Sequence, residues 1–312
     1  MIERATRLYH SAPNPLRMSS NRLLRIGLVQ MAMSSDVESN LAKAVSMSEE
    51  AAGKGAGVIC LPELFTTPYL PREEDPEAKR DRSALLSTIP GMVTETLAEL
   101  AQRTGAVIVG GSIYEAAEDG LYNTSTVFEK DGSYLGKYRK THMPHDECFF
   151  EQHYFKPGDT GFQVFDTSVG RISTLICYDQ WFPEAARSVA LMEAELTFYP
   201  TAIGTVKGIG QAEGDWQEAW ENVMRGHAIA SAMPVCAVNR VGTEGDSEFF
   251  GGSFVCDAFG KTLARGGKNE EVIMADLDLD HGKRVMAGWR FFLNRRPECY
   301  GRLVQKDRNQ SV

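Results

Sequence analysis

The chain has 312 residues, 43% hydrophobic and 24% charged, a composition typical of a soluble globular protein with a sizeable core. Its net charge of -9 disfavours a nucleic-acid partner, because DNA and RNA are themselves anionic. No apolar run approaches the roughly 18 residues of a membrane span, and the cysteines form no CxxC pair, so we expect a cytoplasmic protein that does not associate with membranes.

The first 21 residues differ from the rest of the chain. They contain several arginines and serines but no apolar core of a secretory signal, so we predict a loosely ordered extension over residues 1–21. An organelle transit peptide is the alternative. No linker, charge run or internal repeat divides residues 22–312, which predicts a single domain.

The first part of the domain alternates between strand and helix patterns. Apolar residues recur at helical spacing from Val37 until Gly53 and Gly55, and continuous apolar runs lie on either side. This alternation predicts layered α/β packing. The predicted elements are a strand at 24–30, a helix from 37 to 53, a strand at 57–61, a helix at 92–103 and a strand at 106–111.

The middle of the chain has hairpin patterns, and alternation resumes after them. Strand-like runs at 121–129 and 133–140 flank the turn Lys130-Asp131-Gly132, and residues 161–177 are typical of a second hairpin. Residues 205–215, "TVKGIGQAEGD", are predicted to form a loop beside a pocket. The later predicted elements are helices at 183–192 and 215–232 and strands at 196–200, 234–241, 253–256 and 271–278.

Three polar residues follow strands or hairpins that would place them at one edge of a sheet: Glu63, Lys140 and Cys177. In open α/β folds that edge binds ligands. A thiol nucleophile needs a base, and acyl transfer needs a cation or N–H donors where the oxyanion forms; these residue types supply all three. We also expect the helix that opens at Pro183 to lower the pKa of the Cys177 thiol through its dipole.

The segments around these residues resemble a known family. "LPELFTTPYL", "GKYRKTHMP" and "CYDQWFPEAAR" look like the three signature motifs of the nitrilase superfamily of carbon-nitrogen hydrolases, in the same order. The resemblance covers about residues 22–305, including "FYPTAIG" and "GWRFFLNRRPECYG". It implies an α/β fold, a four-layer αββα sandwich. Within the superfamily the motifs are most similar to the N-carbamoylputrescine amidase group.

The resemblance also implies roles for individual residues. Glu63 corresponds to the general base, Lys140 to the oxyanion stabiliser and Cys177 to the nucleophile. Glu151, in "FFEQHYF", matches a second glutamate that orients the lysine and the substrate, and the backbone N–H of Tyr178 matches the second oxyanion donor. The implied reaction passes through a covalent thioester-type intermediate and requires no metal or organic cofactor.

The expected substrate is a small ureido or amide compound. Family members that hydrolyse N-carbamoyl amino acids carry arginines where this chain has Gln180 and Trp181, which disfavours a carboxylate-bearing substrate. A cationic tail such as that of N-carbamoylputrescine needs aromatic walls and an acid. The candidates are Tyr178, Trp181, Phe149, Phe150 and Thr201 for the walls and polar lining, and Asp146, Glu213 and Asp215 for the acid.

Several alternatives remain open at this point. A β-ureidopropionase-like enzyme, an ω-amide hydrolase and a catalytically silent scaffold all carry the same motifs. His142, His145 and Cys148 have metal-like spacing, but no second cluster completes a zinc site. The glycines of "GIGQAEG" do not match a dinucleotide fingerprint, and His227 is typical of a core histidine.

The resemblance further implies self-association. Family members assemble through the helix after the nucleophile, here "WFPEAARSVALM", and through C-terminal segments, here the tail from Arg290. We therefore expect a homodimer or a larger even-numbered assembly.

Overall fold

A computed structural model describes residues 22–75 and 83–305, so the predicted N-terminal extension at 1–21 lies outside the described residues. The strands are β1 (Leu23–Gln30), β2 (Val58–Cys60), β3 (Val107–Val109), β4 (Ile113–Ala117), β5 (Gly120–Phe128), β6 (Tyr134–Arg139), β7 (Phe165–Thr167), β8 (Gly170–Thr174), β9 (Leu196–Thr201), β10 (Gly204–Val206), β11 (Val235–Asn239), β12 (Val241–Glu244), β13 (Ser247–Phe250), β14 (Phe254–Cys256), β15 (Thr262–Arg265) and β16 (Glu271–Asp278). The α-helices are α1 (Val37–Gly53), α2 (Met92–Thr104), α3 (Pro183–Leu191), α4 (Trp216–Ser231) and α5 (Asp280–Trp289).

Two large sheets carry most of these strands. The first has seven strands in the order β16-β1-β2-β3-β5-β4, with β6 paired to β5, and its central strands β1, β2 and β3 are parallel. The second has six strands in the order β15-β14-β11-β9-β8-β7, with β8, β9 and β11 parallel. A small third sheet has the order β10-β13-β12.

The alternation of side chains along each strand explains how the layers stack. In β2, Val58 and Cys60 belong to the apolar cluster shared with the second sheet, whereas Ile59 packs with helices α1 and α2. In β9, Phe198 faces the first sheet, whereas Tyr199 packs with α3 and α4. Two helices cover the outer face of each sheet, so the four-layer αββα sandwich is confirmed.

Local chemistry sets where the helices begin. Asp36 caps α1 by accepting a hydrogen bond from the Ser39 N–H at 2.9 Å, and Asp215 caps α4 by accepting from the Glu218 N–H at 3.0 Å. Pro183 occupies the first turn of α3, where its missing N–H costs nothing. The predicted helices therefore start within a residue of their observed bounds.

Some elements were missed by the sequence patterns. The strand predicted at 234–241 is interrupted at Arg240, and the chain continues into the small third sheet through β12 and β13. Those strands are each only four residues long, too short for a periodic signal. Helix α5 was also missed, because only three of its residues are buried and two glycines interrupt its pattern.

In the described part of the chain, no helix is both long enough and apolar enough to cross a membrane. The C-terminal segment after α5 continues in two short 3₁₀ turns, at Pro297–Cys299 and Gly301–Val304.

Candidate active site

The ends of three strands bring the predicted catalytic side chains together. Glu63 follows β2, Lys140 follows β6 directly, and Cys177 follows β8 and opens a 3₁₀ turn over Cys177–Trp181. A second short turn, Glu151–His153, supplies Glu151. Glu63, Lys140 and Glu151 have no exposed surface, and Cys177 is 7% exposed.

Lys140 is the centre of this cluster. Its Nζ donates to Glu63 Oε1 at 2.8 Å and to both carboxylate oxygens of Glu151 at 2.7 Å. All three protons of the ammonium are thereby used. The two glutamates come from segments 88 residues apart, so the lysine joins distant parts of the chain at one point.

Neutral donors complete the carboxylate environment. The Asn123 side-chain amide donates to Glu63 Oε1 at 2.8 Å, and the Tyr69 hydroxyl donates to Glu151 Oε1 at 2.7 Å. Glu63 Oε2 has no hydrogen-bond partner among the described residues. One oxygen of Glu63 is therefore fixed in place while the other is free to accept a proton.

The buried charges shift the acidity of the cluster. Burial by itself would lower the pKa of Lys140, but the carboxylates of Glu151 and Glu63 outweigh it and raise that pKa, so the ammonium stays protonated. Burial raises the pKa of Glu151 above its ordinary value, and the charge of Lys140 opposes that rise. Burial and the charge of Glu151 also raise the pKa of Tyr69, which keeps its hydroxyl a donor.

The backbone at Cys177 is held in an unusual conformation. Its φ of 42° lies in the left-handed region, which costs a non-glycine residue about 1–3 kcal/mol. The buried carboxylate of Asp179 holds this turn by accepting from the Ile176 N–H at 2.9 Å and from the Tyr138 hydroxyl at 2.7 Å. It also accepts from the His142 N–H at 3.0 Å, and the ring Nδ1 of His142 lies 2.7 Å away.

The expectation of a lowered thiol pKa is wrong. Helix α3 begins only at Pro183, and the 3₁₀ turn at Cys177 is too short for a strong dipole. Burial raises the pKa of the Cys177 thiol well above its ordinary value, and the negative charge of Glu63 raises it further, whereas Lys140 lowers it. The resting cysteine is therefore a neutral thiol that needs a base beside it.

A cavity of about 510 Å³ opens beside Cys177. The described residues that line it include apolar and aromatic side chains, and its charged lining side chains are all acidic. The lining consists of Pro144, Asp146, Glu147, Phe149, Cys177, Tyr178, Gln180, Trp181, Ala202, Ile203, Ile209, Gly210, Glu213, Trp216 and Ala219.

The structure places some predicted pocket residues at this cavity and others elsewhere. Tyr178, Trp181 and Asp146 line it. Phe150 is not among the lining side chains, because its ring turns towards His145 and His153, and its neighbour Phe149 lines the cavity instead.

Thr201 also lies outside the lining. Its hydroxyl donates to Gln180 Oε1 at 3.2 Å, and the indole N–H of Trp220 donates to the same oxygen at 2.8 Å. Because both groups hold Oε1, the amide Nε2 of Gln180 is left without a partner among the described residues. Thr201 therefore orients a cavity residue and does not form the cavity wall.

The three acids predicted to bind the substrate ammonium do not all lie at the cavity. Asp215 caps helix α4 and is not part of the lining, so its predicted role as the substrate acid is not supported by its position. Glu213 lines the cavity and accepts a hydrogen bond from the Trp216 indole at 2.6 Å. Within the "TVKGIGQAEGD" segment, Ile209, Gly210 and Glu213 all face the cavity.

The metal alternative receives no support from the placement of its residues. His142 stacks on Phe182 with ring centroids 3.7 Å apart, and His145 packs near His153. Within 22–75 and 83–305, no group of three or more histidine, cysteine, aspartate or glutamate side chains is arranged to hold a metal. His227 is a core residue, since its Nε2 lies 2.8 Å from the Gln180 carbonyl oxygen.

Several residues of the site were missed from the sequence. Tyr69 and Asn123 contact the catalytic glutamates, Asp179 holds the backbone beside Cys177, and Arg240 contacts the Glu63 turn. Tyr69 and Asp179 stand inside the quoted motifs, so their position there was an available signal. Asn123 and Arg240 reach the site only through tertiary contacts, and no local pattern marks them.

The fold and the buried cluster, taken together with comparisons with known proteins, define an enzyme that hydrolyses carbon-nitrogen bonds other than peptide bonds. The family model described as carbon-nitrogen hydrolase matches residues 25–285, so the chain belongs to the carbon-nitrogen hydrolase family.

Individual relatives are similar over nearly the whole chain. An N-carbamoylputrescine amidase of Solanum lycopersicum is 39% identical, covering 94% of this chain and 98% of the relative. A citrullinase of Francisella tularensis is 34% identical, covering 91% and 99%. The crystal structure of a carbon-nitrogen hydrolase from Helicobacter pylori G27 superimposes with a TM-score of 0.83 at 36% identity, covering 91% and 99%.

Proposed function

We propose that this protein is a cysteine-dependent amidohydrolase that cleaves N-carbamoylputrescine to putrescine, ammonia and carbon dioxide. The observation that carries this proposal is the cavity beside Cys177, whose charged lining side chains, Asp146, Glu147 and Glu213, are all acidic. The similarity to N-carbamoylputrescine amidases supports the same substrate.

The first step is attack by sulfur. The free Oε2 of Glu63 takes the proton of the Cys177 thiol, and the thiolate attacks the ureido carbonyl carbon to form a C–S bond. The raised pKa of the thiol fits this order of events, because the proton leaves only when the base and the substrate are both in place.

The negative charge that develops on the carbonyl oxygen needs donors. Lys140 and the backbone N–H of Tyr178 supply them in this proposal. Since all three Lys140 protons are held by carboxylates, the oxyanion takes over one of the two hydrogen bonds to Glu151. One N–H of Lys140 therefore donates to Glu151 in the resting enzyme and to the oxyanion once its negative charge develops.

The tetrahedral intermediate then breaks down to a covalent thioester-type intermediate, and water hydrolyses the latter. Glu63 returns its proton to the departing nitrogen as the C–N bond breaks, which leaves a carbamoyl group bound to sulfur. Glu63, again a carboxylate, removes a proton from water as the water oxygen attacks this thioester-type carbon, and the thiol is regenerated. The product of this hydrolysis is carbamate, which breaks down to ammonia and carbon dioxide.

The far end of the substrate determines selectivity. A butylammonium chain fits a cavity with the aromatic walls Phe149, Trp181 and Trp216, and its charge is attracted by the acids of the lining. Citrulline shares the ureido group but carries a carboxylate beside its ammonium. The same acids repel that carboxylate, and it finds no cation in the described lining. We therefore expect N-carbamoylputrescine to be preferred.

The test is a side-by-side substrate panel. Ammonia release is measured from N-carbamoylputrescine, citrulline, N-carbamoyl-β-alanine and a simple ω-amide, with the intact protein and with Cys177→Ala. The expected result is turnover of N-carbamoylputrescine at the highest kcat/KM and an inactive Cys177→Ala variant. A higher kcat/KM for a carboxylate-bearing compound would refute the substrate assignment, and no turnover of any compound would favour a silent scaffold.

We also propose that the chain forms a homodimer or a larger even-numbered assembly through α3 and the C-terminal segment. Leu191 at the end of α3 is 41% exposed, and Trp289, Leu293 and Leu303 are between 45% and 64% exposed. Burial of these apolar side chains between subunits would stabilise an assembly. Light scattering that gives a mass of one 34.5 kDa chain would contradict this proposal.

A further inference from the structure

A second buried ion pair lies behind the catalytic cluster. Arg240, at the interruption between β11 and β12, has no exposed surface, and its Nη1 donates to Glu244 Oε1 at 2.7 Å. Glu244 is 8% exposed. A fully buried arginine is costly unless its hydrogen bonds are well satisfied, so the partners of this guanidinium indicate what it does.

The other end of the guanidinium holds the turn that carries Glu63. Arg240 Nη2 donates to the backbone oxygens of Glu63 at 2.7 Å and of Leu64 at 2.9 Å. Leu64 has a φ of 47°, in the left-handed region, which is strained for a leucine. The arginine therefore stabilises a backbone conformation that sets the direction of the Glu63 side chain.

Glu244 extends the same connection to the second carboxylate. Its Oε2 accepts from the Tyr69 N–H at 2.6 Å, and the Tyr69 hydroxyl donates to Glu151 Oε1 at 2.7 Å. The ring of Tyr69 is also held edge-on against Phe249. One ion pair thus contacts the backbone beside Glu63 and the residue that binds Glu151.

We propose that the Arg240–Glu244 pair positions both catalytic carboxylates, Glu63 through its backbone and Glu151 through Tyr69. This inference rests on the proposed roles of Glu63 and Glu151. Neither Arg240 nor Glu244 lines the cavity, so the pair acts on the rate of the chemical step and leaves substrate binding unchanged. Arg240 and Glu244 are positioning residues, since neither touches the reacting atoms.

Arginine is required here for its shape. Its planar fork donates to Glu244 with one nitrogen and to the Glu63 turn with the other. In Arg240→Lys the charge opposite Glu244 is kept, but a single ammonium is shorter and cannot reach both sets of acceptors. The conservative variant therefore separates positioning from charge balance.

The experiment compares four variants with the intact protein. Arg240→Lys tests the fork, and the double variant Arg240→Met with Glu244→Gln removes both charges together and avoids leaving one buried alone. Tyr69→Phe tests the connection to Glu151. Leu28→Ala, in the apolar layer between the sheets, is the control for loss of stability without contact with the site.

Two measurements are made at a temperature at which every variant is folded by circular dichroism. The first is kcat and KM on the best substrate of the panel. The second is the rate at which iodoacetamide alkylates Cys177 as a function of pH, followed by peptide mass spectrometry so that Cys148 and Cys299 do not interfere. The alkylation rate does not depend on which ureido compound is the substrate.

We expect Arg240→Lys and the double variant to lower kcat by about 100-fold with KM within about twofold, and to shift the pH profile of Cys177 alkylation downward, because a displaced Glu63 carboxylate raises the thiol pKa less. Tyr69→Phe should lower kcat by about tenfold. Leu28→Ala should change neither. Values of kcat and alkylation for Arg240→Lys and the double variant that equal those of Leu28→Ala would overturn the inference.

Glu63→Gln distinguishes this failure from failure of the proposed function. A downward shift of the alkylation profile in Glu63→Gln, together with an unaffected Arg240→Lys, overturns the positioning role alone. A wild-type alkylation profile in Glu63→Gln shows that Glu63 does not act on the thiol, and both proposals then fall.

Discussion

The layer between the two large sheets and the edge at which Cys177 lies are both buried, but different interactions stabilise them. Between the sheets the contacts are apolar, from Leu28 and Val58 on one side and Phe198 and Val238 on the other. At the edge, the buried side chains include two carboxylates and a lysine within hydrogen-bond distance. The first region obtains its stability from the hydrophobic effect, whereas the second depends on every charge having a partner.

The candidate catalytic residues lie at the edge and not in the apolar layer, and the two regions differ in how strictly their side chains are positioned. Apolar contacts are non-directional, so the sheet layer tolerates small shifts of its side chains. The edge depends on hydrogen-bond geometry, and two of its residues, Leu64 and Cys177, have left-handed backbone angles held by the buried charges of Arg240 and Asp179. The layer sets the stability of the molecule, and the edge uses part of that stability to hold a reactive arrangement.

The largest expected effect concerns the nucleophile. Cys177→Ala should lower activity by about 10⁴-fold or more, because no other thiol lines the cavity in the described part of the chain. The free energy of unfolding should change by less than about 1 kcal/mol, since alanine fills nearly the same space. Steady-state assays and urea unfolding measure the two quantities, and a large loss of stability would show that the edge is structural.

Lys140→Met should affect both regions. Removal of the ammonium leaves Glu63 and Glu151 buried without their shared cation, which should destabilise the fold by about 4 kcal/mol and abolish activity. Adding Glu151→Gln should restore part of the stability but none of the activity. If Lys140→Met is as stable as the wild type in urea, the cluster is not as tightly paired as described.

A substitution in the sheet layer should have the opposite profile. Leu28→Ala should destabilise the protein by about 3 kcal/mol through lost burial and a cavity, with kcat unchanged while the protein remains folded. Leu23→Ala, on the same strand at 68% exposure, is the matched control and should cost less than about 0.5 kcal/mol. A drop in kcat for Leu28→Ala would show that the two regions are coupled.

The smallest expected effect is a loss of folding stability at low pH, which comes from a third cluster formed by Glu115, Arg139 and Lys137. Burial would raise the pKa of Glu115, but hydrogen bonds from Arg139 and Lys137 lower it to about 2. A lowered carboxyl pKa means that the stabilisation is present above the ordinary value of 4.5 and is lost as the pH falls through about 2.

The loss should amount to about 2 kcal/mol once screening at the partly exposed Lys137 is allowed for. Chemical unfolding at a series of pH values measures it, and Glu115→Gln should remove this part of the acid dependence. An unchanged acid profile in Glu115→Gln would exclude Glu115 as its source.

The sequence predicted the sheet layer well for a physical reason. Residues 57–61 form a continuous apolar run typical of a buried strand, and the helix at 215–232 has an apolar stripe that indicates which side faces the core. The three motifs placed Glu63, Lys140 and Cys177 at one edge. The sequence therefore defined the layers and the principal reactive candidates.

The supporting side chains were not predictable in the same way. Arg240 and Asn123 lie in strand-like segments. Their importance arises from contacts with Glu63, which is 177 positions from Arg240 and 60 positions from Asn123 in the sequence. The thiol pKa was also misjudged, because local sequence shows a nearby helix start but not the burial around Cys177. Properties that depend on long-range packing are absent from local patterns.

The most direct test of the central claim is detection of the covalent intermediate on Cys177. The intact protein is mixed with N-carbamoylputrescine, quenched with acid within milliseconds to seconds, digested, and analysed by mass spectrometry. We predict a carbamoyl adduct on the peptide that contains Cys177, formed and lost at rates that account for turnover. Turnover without any adduct on Cys177, or an adduct on another residue, would contradict the account.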